Sequence, residues 1–203
     1  VPGNIPGMGN STGDLQVKQF YELPKGINLV GDIIGVANPV GKSGEILKNV
    51  IDAKSDYSIF GSGGMVRLKL TLSNFRNYPI TVFFPKGLLM KCNFGNFQEG
   101  LCAQTTWACI QPNSVRSVYL DFYCLNRGIP NPDNTAKYSI LGITGSQTIW
   151  KLLDLIGWRK INYEMCLPKP GKGIDAEPTY EEIITRLQTM IHRLTNDGLE
   201  LTE

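Results

Sequence analysis

MVRLKLTLSNFRNYPITVFFPKGLL, residues 65–89, is the stretch that decides the class of fold. Val66, Leu68, Leu70 and Leu72 alternate with Arg67, Lys69, Thr71 and Ser73. Period two of this kind marks a strand with one apolar face and one polar face, because successive side chains on a pleated backbone point to opposite sides. The turn NFRNYP leads into Ile80–Phe84, and Pro85-Lys86-Gly87 punctuates the chain before the next apolar run, Leu88–Cys92. Two antiparallel strands joined by turn chemistry, followed by a third, are predicted.

The same pattern extends in both directions. Upstream, Ile27–Val36, Glu45–Ile51 and Asp56–Phe60 read as strands, with ANPVGKSG and GSGG as the turns after the first and the last. Downstream, Leu101–Ile110 and Val115–Cys124 follow the aromatic loop NFGNFQEG, and Tyr138–Leu141 is the final candidate. In Val115–Cys124, Val118, Leu120, Phe122 and Cys124 share one face, and Tyr119, Asp121 and Tyr123 the other. About seven to nine strands at spacings of roughly 8–14 residues predict an immunoglobulin-like antiparallel β-sandwich.

Two helices are predicted after the strands. Thr144-Gly145-Ser146-Gln147 fits a capping box, with Ile149, Leu152, Leu153 and Ile156 at helical spacing and Gly157 as the stop. Thr179 with Glu182 opens the second helix, whose stripe runs from Ile183 to Leu194, and LPKPGKGIDAEP links the two. The expected organisation is an extended tail over residues 1–26, anchored by Phe20, Tyr21 and Leu23, a sandwich over 27–143 and a helical appendage over 144–203.

Composition narrows function by exclusion. The 203 residues are 42% hydrophobic and carry Lys+Arg 20 against Asp+Glu 18, a net charge of +2, without the basic excess that phosphate-backbone binding needs. Nucleic acid is therefore not an expected partner. No apolar run reaches the roughly 18 residues of a transmembrane helix. The chain opens at Val1 in VPGNIPGMGNSTG, which reads as the start of a processed or truncated chain, and removal of an export signal before it is the expectation. A secreted, cell-surface or periplasmic location follows as an expectation.

Gly35–Ser43 resembles a phosphate-binding loop but has one residue too many between its glycines to wrap phosphates and aim Lys42. His192 is the single histidine, and no Cys-x-x-Cys occurs, so neither a metal site nor a cofactor is expected. The turn Gly61-Ser62-Gly63-Gly64 departs from the Gly-x-Ser-x-Gly elbow of serine hydrolases. No catalytic constellation results, and the chain is read as a non-catalytic binding or interaction module.

Its partner is expected to be a protein or glycan at a cell surface. Phe94 and Phe97 in the aromatic loop, with Trp107 nearby in sequence, could stack on sugar rings or plug the end of the sandwich. The five cysteines, Cys92, Cys102, Cys109, Cys124 and Cys166, leave at least one thiol unpaired, and Cys92 with Cys102 flank that loop as a possible disulfide.

VRLKLTLSNFRNYPITVFFPKG and YCLNRGIPNP resemble the central hairpin and a late loop of bacterial exported immunoglobulin-like sandwich domains, which implies a fold and no activity. Tyr123-Cys124-Leu125-Asn126 and Ser146-Gln147-Thr148-Ile149-Trp150 resemble the two signatures of bacterial adhesin thioester domains. That second resemblance implies an internal thioester between Cys124 and Gln147 and covalent capture of a host surface. Ser146 stands where the family has threonine, and the family's alanine is missing. On the residues alone, Cys124 lies on an inward strand face and Gln147 completes a helix cap.

Overall fold

A computed structural model describes residues 5–37, 58–166 and 180–201. Eleven strands are seen among them: β1 (Val17–Phe20), β2 (Ile27–Leu29), β3 (Ile33–Gly35), β4 (Ser58–Gly61), β5 (Val66–Asn74), β6 (Ile80–Phe84), β7 (Leu88–Phe94), β8 (Gly100–Leu101), β9 (Thr106–Ile110), β10 (Ser114–Cys124) and β11 (Lys137–Thr144). Three helices follow, α1 (Gln147–Ile156), α2 (Tyr163–Cys166) and α3 (Tyr180–Thr195).

Six of the strands close on themselves. In the order β5-β3-β11-β7-β8-β10 each pairs antiparallel with the next, and β10 pairs back onto β5, register running from Ser114 opposite Asn74 to Phe122 opposite Val66. The immunoglobulin-like sandwich expected from sequence is therefore corrected to a closed antiparallel barrel with extra strands. Strand count and alternation are common to both architectures; only the pairing partners differ. Register shifts in β11, between Lys137 and Tyr138 and between Ile140 and Gly142, bend that strand as barrel closure requires.

Gly31, at φ +71, splits the expected run Ile27–Val36 into β2 and β3. The expected run Leu101–Ile110 likewise divides into β8, in the barrel wall, and β9, which pairs with β6 as a separate two-stranded ribbon. The expected strand Glu45–Ile51, the turn ANPVGKSG after its first residue Ala37, the linker LPKPGKGIDAEP and the capping residue Thr179 lie outside the described residues. Ser146 caps α1, its Oγ accepting from the Ile149 N–H at 3.3 Å, and Gly157 ends it.

Two apolar layers result. Val66, Leu68, Leu70, Leu72, Val118, Leu120, Phe122 and Cys124 fill the barrel together with Val82, Phe84, Ala108 and Ile110 from the ribbon. On the far side of the wall, Leu101, Tyr123 and Leu125 meet Ile149, Leu153 and Ile156 of α1 and Ile191 and Leu194 of α3. Period two thus drives one strand into two different cores at once. Arg67, predicted on a wet face, is instead 3% exposed, because it pairs with Asp121.

Residues 17–20 pair with β11, so this part of the N-terminal segment joins the sheet. Tyr21 stacks on Phe84 with centroids 6.5 Å apart, and Leu23 packs against the barrel core. Phe20, predicted as an anchor, is 72% exposed. It is the last residue of β1, and no layer of the described residues covers it.

Candidate functional site

The β6–β9 ribbon places Phe83 directly opposite Trp107. Phe83-Phe84 are neighbours in a strand, so one ring must face in and the other out. Phe84 is fully buried in the barrel, while Phe83 is 55% and Trp107 52% exposed. Their centroids lie 6.1 Å apart with planes inclined by 46°. The inner faces of both strands, Val82, Phe84, Ala108 and Ile110, are buried, so the pair stands on a rigid support.

Beside the ribbon opens a cleft of about 630 Å³, lined among others by Phe20, Tyr21 and Trp150 with the polar Gln19, Glu22 and Lys86. Tyr21 links the two features, its hydroxyl donating to the Phe83 carbonyl at 2.8 Å. Burial pushes the Tyr21 hydroxyl up to about 12, so it stays a neutral donor. Trp150 is fixed by its indole N–H, which donates to the Thr144 carbonyl at 2.8 Å, and by the absence of a Cβ on Gly87, which would stand 2.9 Å from the ring. Lys18 Nζ sits 3.8 Å from the Trp150 ring centroid and Lys86 Nζ at 5.6 Å, both attracted by the ring's negative face.

Of the aromatic residues singled out in the sequence, Trp107 and Phe94 are exposed and Phe97 is not. Phe97 packs against the barrel core and lies across Gly95, where a Cβ would meet its ring at 2.4 Å. Trp107 finds its partner in Phe83. The signal for Phe83 was the adjacent Phe-Phe pair in a strand.

A second constellation surrounds Cys124. The carboxamide of Gln188 on α3 spans its backbone: Oε1 accepts from the Cys124 N–H at 2.8 Å and Nε2 donates to the Cys124 carbonyl at 2.8 Å. One helical turn on, His192 Nε2 lies 3.1 Å from Cys124 Sγ and 3.2 Å from Gln188 Nε2. Both neighbours carry hydrogens, so this nitrogen acts as acceptor in the neutral ring with its proton on Nδ1. Burial, seconded by the Arg127 charge, holds His192 below its ordinary pKa, consistent with a neutral ring. Burial pushes the Cys124 thiol up to about 12, leaving it protonated.

Gln147 is exposed in the first turn of α1, whereas Gln188 and His192 of α3 reach Cys124. Cys92, Cys102, Cys109 and Cys124 are free thiols, which leaves Cys92 and Cys102 unlinked. Cys102 donates to the Gln104 carbonyl at 3.2 Å inside the core. Cys166 has no described side chain.

Among the described residues no group of three or more His, Cys, Asp and Glu side chains could hold a metal ion, and no helix is long and apolar enough to cross a membrane. No protein-family model, curated protein or solved structure matches the chain.

Proposed function

We propose that this chain is a non-catalytic, extracytoplasmic binding module whose ligand is a carbohydrate seated on Phe83 and Trp107 and reaching into the neighbouring cleft. The observation that carries this reading is the exposed cross-strand pair on a buried-backed ribbon. Rings held in the open are ready platforms for the apolar faces of sugars, and Gln19, Glu22 and Lys86 supply donors and acceptors for hydroxyl groups nearby. The pair also staples the ribbon, a role worth about 0.5–1.5 kcal/mol for an aromatic contact. That role alone does not require both rings to stay open to solvent.

The test is a glycan array followed by titration with any oligosaccharide it identifies. Trp107→Ala and Phe83→Ala are each expected to weaken binding by about tenfold or more, the scale of one lost stacking contact. Failure of every glycan to bind, or binding indifferent to both substitutions, contradicts the proposal.

The Cys124 packet favours a second reading, a covalent module. His192 Nε2 lies within reach of both the thiol and the Gln188 amide nitrogen. Attack of Sγ on Gln188 Cδ, with the thiol proton passed through His192 to the departing nitrogen, forms one thioester and releases one ammonia. Gln188 takes the place that the sequence resemblance gave to Gln147. An intact mass short by one ammonia, which methylamine raises by one methylamine as the thioester becomes an N-methylamide and the thiol is freed, supports this reading. The plain mass with a methylamine-indifferent Cys124 overturns it.

A further inference from the structure

The outer side of the helical layer carries an apolar groove edged by cations. Leu155 and Ile156 of α1 form one wall and Ile183 and Leu187 of α3 the other, around a space of about 370 Å³. That volume falls within the range of about 300–1,000 Å³ typical of small-molecule sites. Arg159, Lys160 and Arg186 are the charged residues among the described ones that line it. Arg159 is fixed at the mouth, since one guanidinium nitrogen donates to the Leu155 carbonyl at the end of α1. Four further N–H donors of that group remain for a ligand. Leu155 is 59% exposed although it stands on a helix whose other leucines are buried.

An apolar trough with cations at its edge is complementary to a molecule that is apolar along its length and anionic at one end. A neutral alkyl chain would use the walls and waste the rim; an inorganic anion would use the rim and leave the walls wet. We infer that this groove between α1 and α3 binds a single-chain fatty carboxylate, its tail along Leu155, Ile156, Ile183 and Leu187 and its headgroup against Arg159 and Arg186. Charge-assisted hydrogen bonds from guanidinium to carboxylate are the strongest available to such a headgroup. This site is separate from the aromatic ribbon and involves none of its residues.

The experiment is calorimetric titration of the full chain with dodecanoate below its micelle-forming concentration, alongside dodecanol and dodecyltrimethylammonium. Saturable binding of dodecanoate is expected, with dodecanol about tenfold weaker and the cationic surfactant weaker still. Leu155→Asp, at an exposed position that does not threaten folding, abolishes binding. Arg159→Gln with Arg186→Gln lowers dodecanoate affinity by about tenfold and leaves that of dodecanol unchanged. Equal affinity for all three headgroups overturns the inference, as does the absence of saturable dodecanoate binding. An acidic amphipathic peptide that binds where dodecanoate does not would assign the groove to a protein partner instead.

Discussion

Arg67 and Asp121 face one another across the β5–β10 ladder and form a two-pronged ion pair, Nε to Oδ1 at 2.6 Å and Nη2 to Oδ2 at 2.8 Å, on the seam that closes the barrel. Their side chains are 3% and 1% exposed. Tyr163 of α2 stands within electrostatic reach of the pair. Glu164 of the same helix ties it over the wall, accepting from the Gly61 N–H at 3.0 Å and the Thr106 hydroxyl at 2.6 Å.

A buried pair of this kind costs more when broken than it contributes when whole, because the survivor is a charge without water. Asp121→Ala is expected to lower stability by about 3–5 kcal/mol in urea unfolding. Arg67→Met combined with Asp121→Leu recovers most of that loss. A single variant within about 1 kcal/mol of the parent, a surface-pair value, would show that the pair is solvated.

Glu99 sets one limit of the pH range. Burial pushes its carboxyl from 4.5 up to about 7, even though its Oε2 accepts the Cys92 N–H at 2.5 Å. An acid whose folded pKa is raised favours the fold in its protonated form. Its contribution is therefore complete below pH 4.5 and lost as pH rises through about 7. In Glu99→Gln, thermal midpoints should lose that decline relative to the parent over the same interval. Parallel pH curves for the two proteins would contradict this assignment.

His192 acts with the opposite sign. Its folded pKa lies below the ordinary 6.5, so the folded state prefers the neutral ring. Its contribution is present above 6.5 and is lost as pH falls through the depressed folded value. The loss should be local first, because His192 and Gln188 dock α3 on Cys124. Hydrogen exchange across 183–194 is expected to accelerate on acidification in the parent, and much less in His192→Gln.

Much of the barrel's wall was legible in residues 65–124. The alternation in Met65–Asn74 and Val115–Cys124 assigns the same inward residues that fill the barrel. Closure was not legible. It depends on β10 pairing with β5 along most of its length and with β8 at Tyr123 and Cys124, and alternation is silent about which strand lies next door. Arg67 shows the same limit, since a charged residue on an outward face looks wet until its partner is known. Among the site residues, Trp107 was visible as an aromatic residue without a role, whereas its relation to Phe83 required the register of a ribbon whose strands are separated by β7 and β8 in sequence. His192 and Cys124, far apart in sequence, meet only because α3 folds back onto the end of β10.

Cys124 itself offers a further check. With its thiol buried and protonated, modification by iodoacetamide in the native protein should be far slower than that of half-buried Cys109, and should rise when α3 is released by Gln188→Ala. Equal labelling rates for the two thiols in the native parent would contradict the burial of Cys124.

The central claim is that Phe83 and Trp107 form a ligand platform. The most direct measurement is the indole N–H region of a proton–nitrogen NMR spectrum of the labelled protein, recorded during titration with a glycan selected on the array. Three indole signals are expected, from Trp107, Trp150 and Trp158. The account predicts saturable movement of Trp107, with smaller movement of Trp150 at the cleft and none of Trp158, which lies on neither surface. A glycan that moves only Trp158, or that binds without moving Trp107, would contradict it.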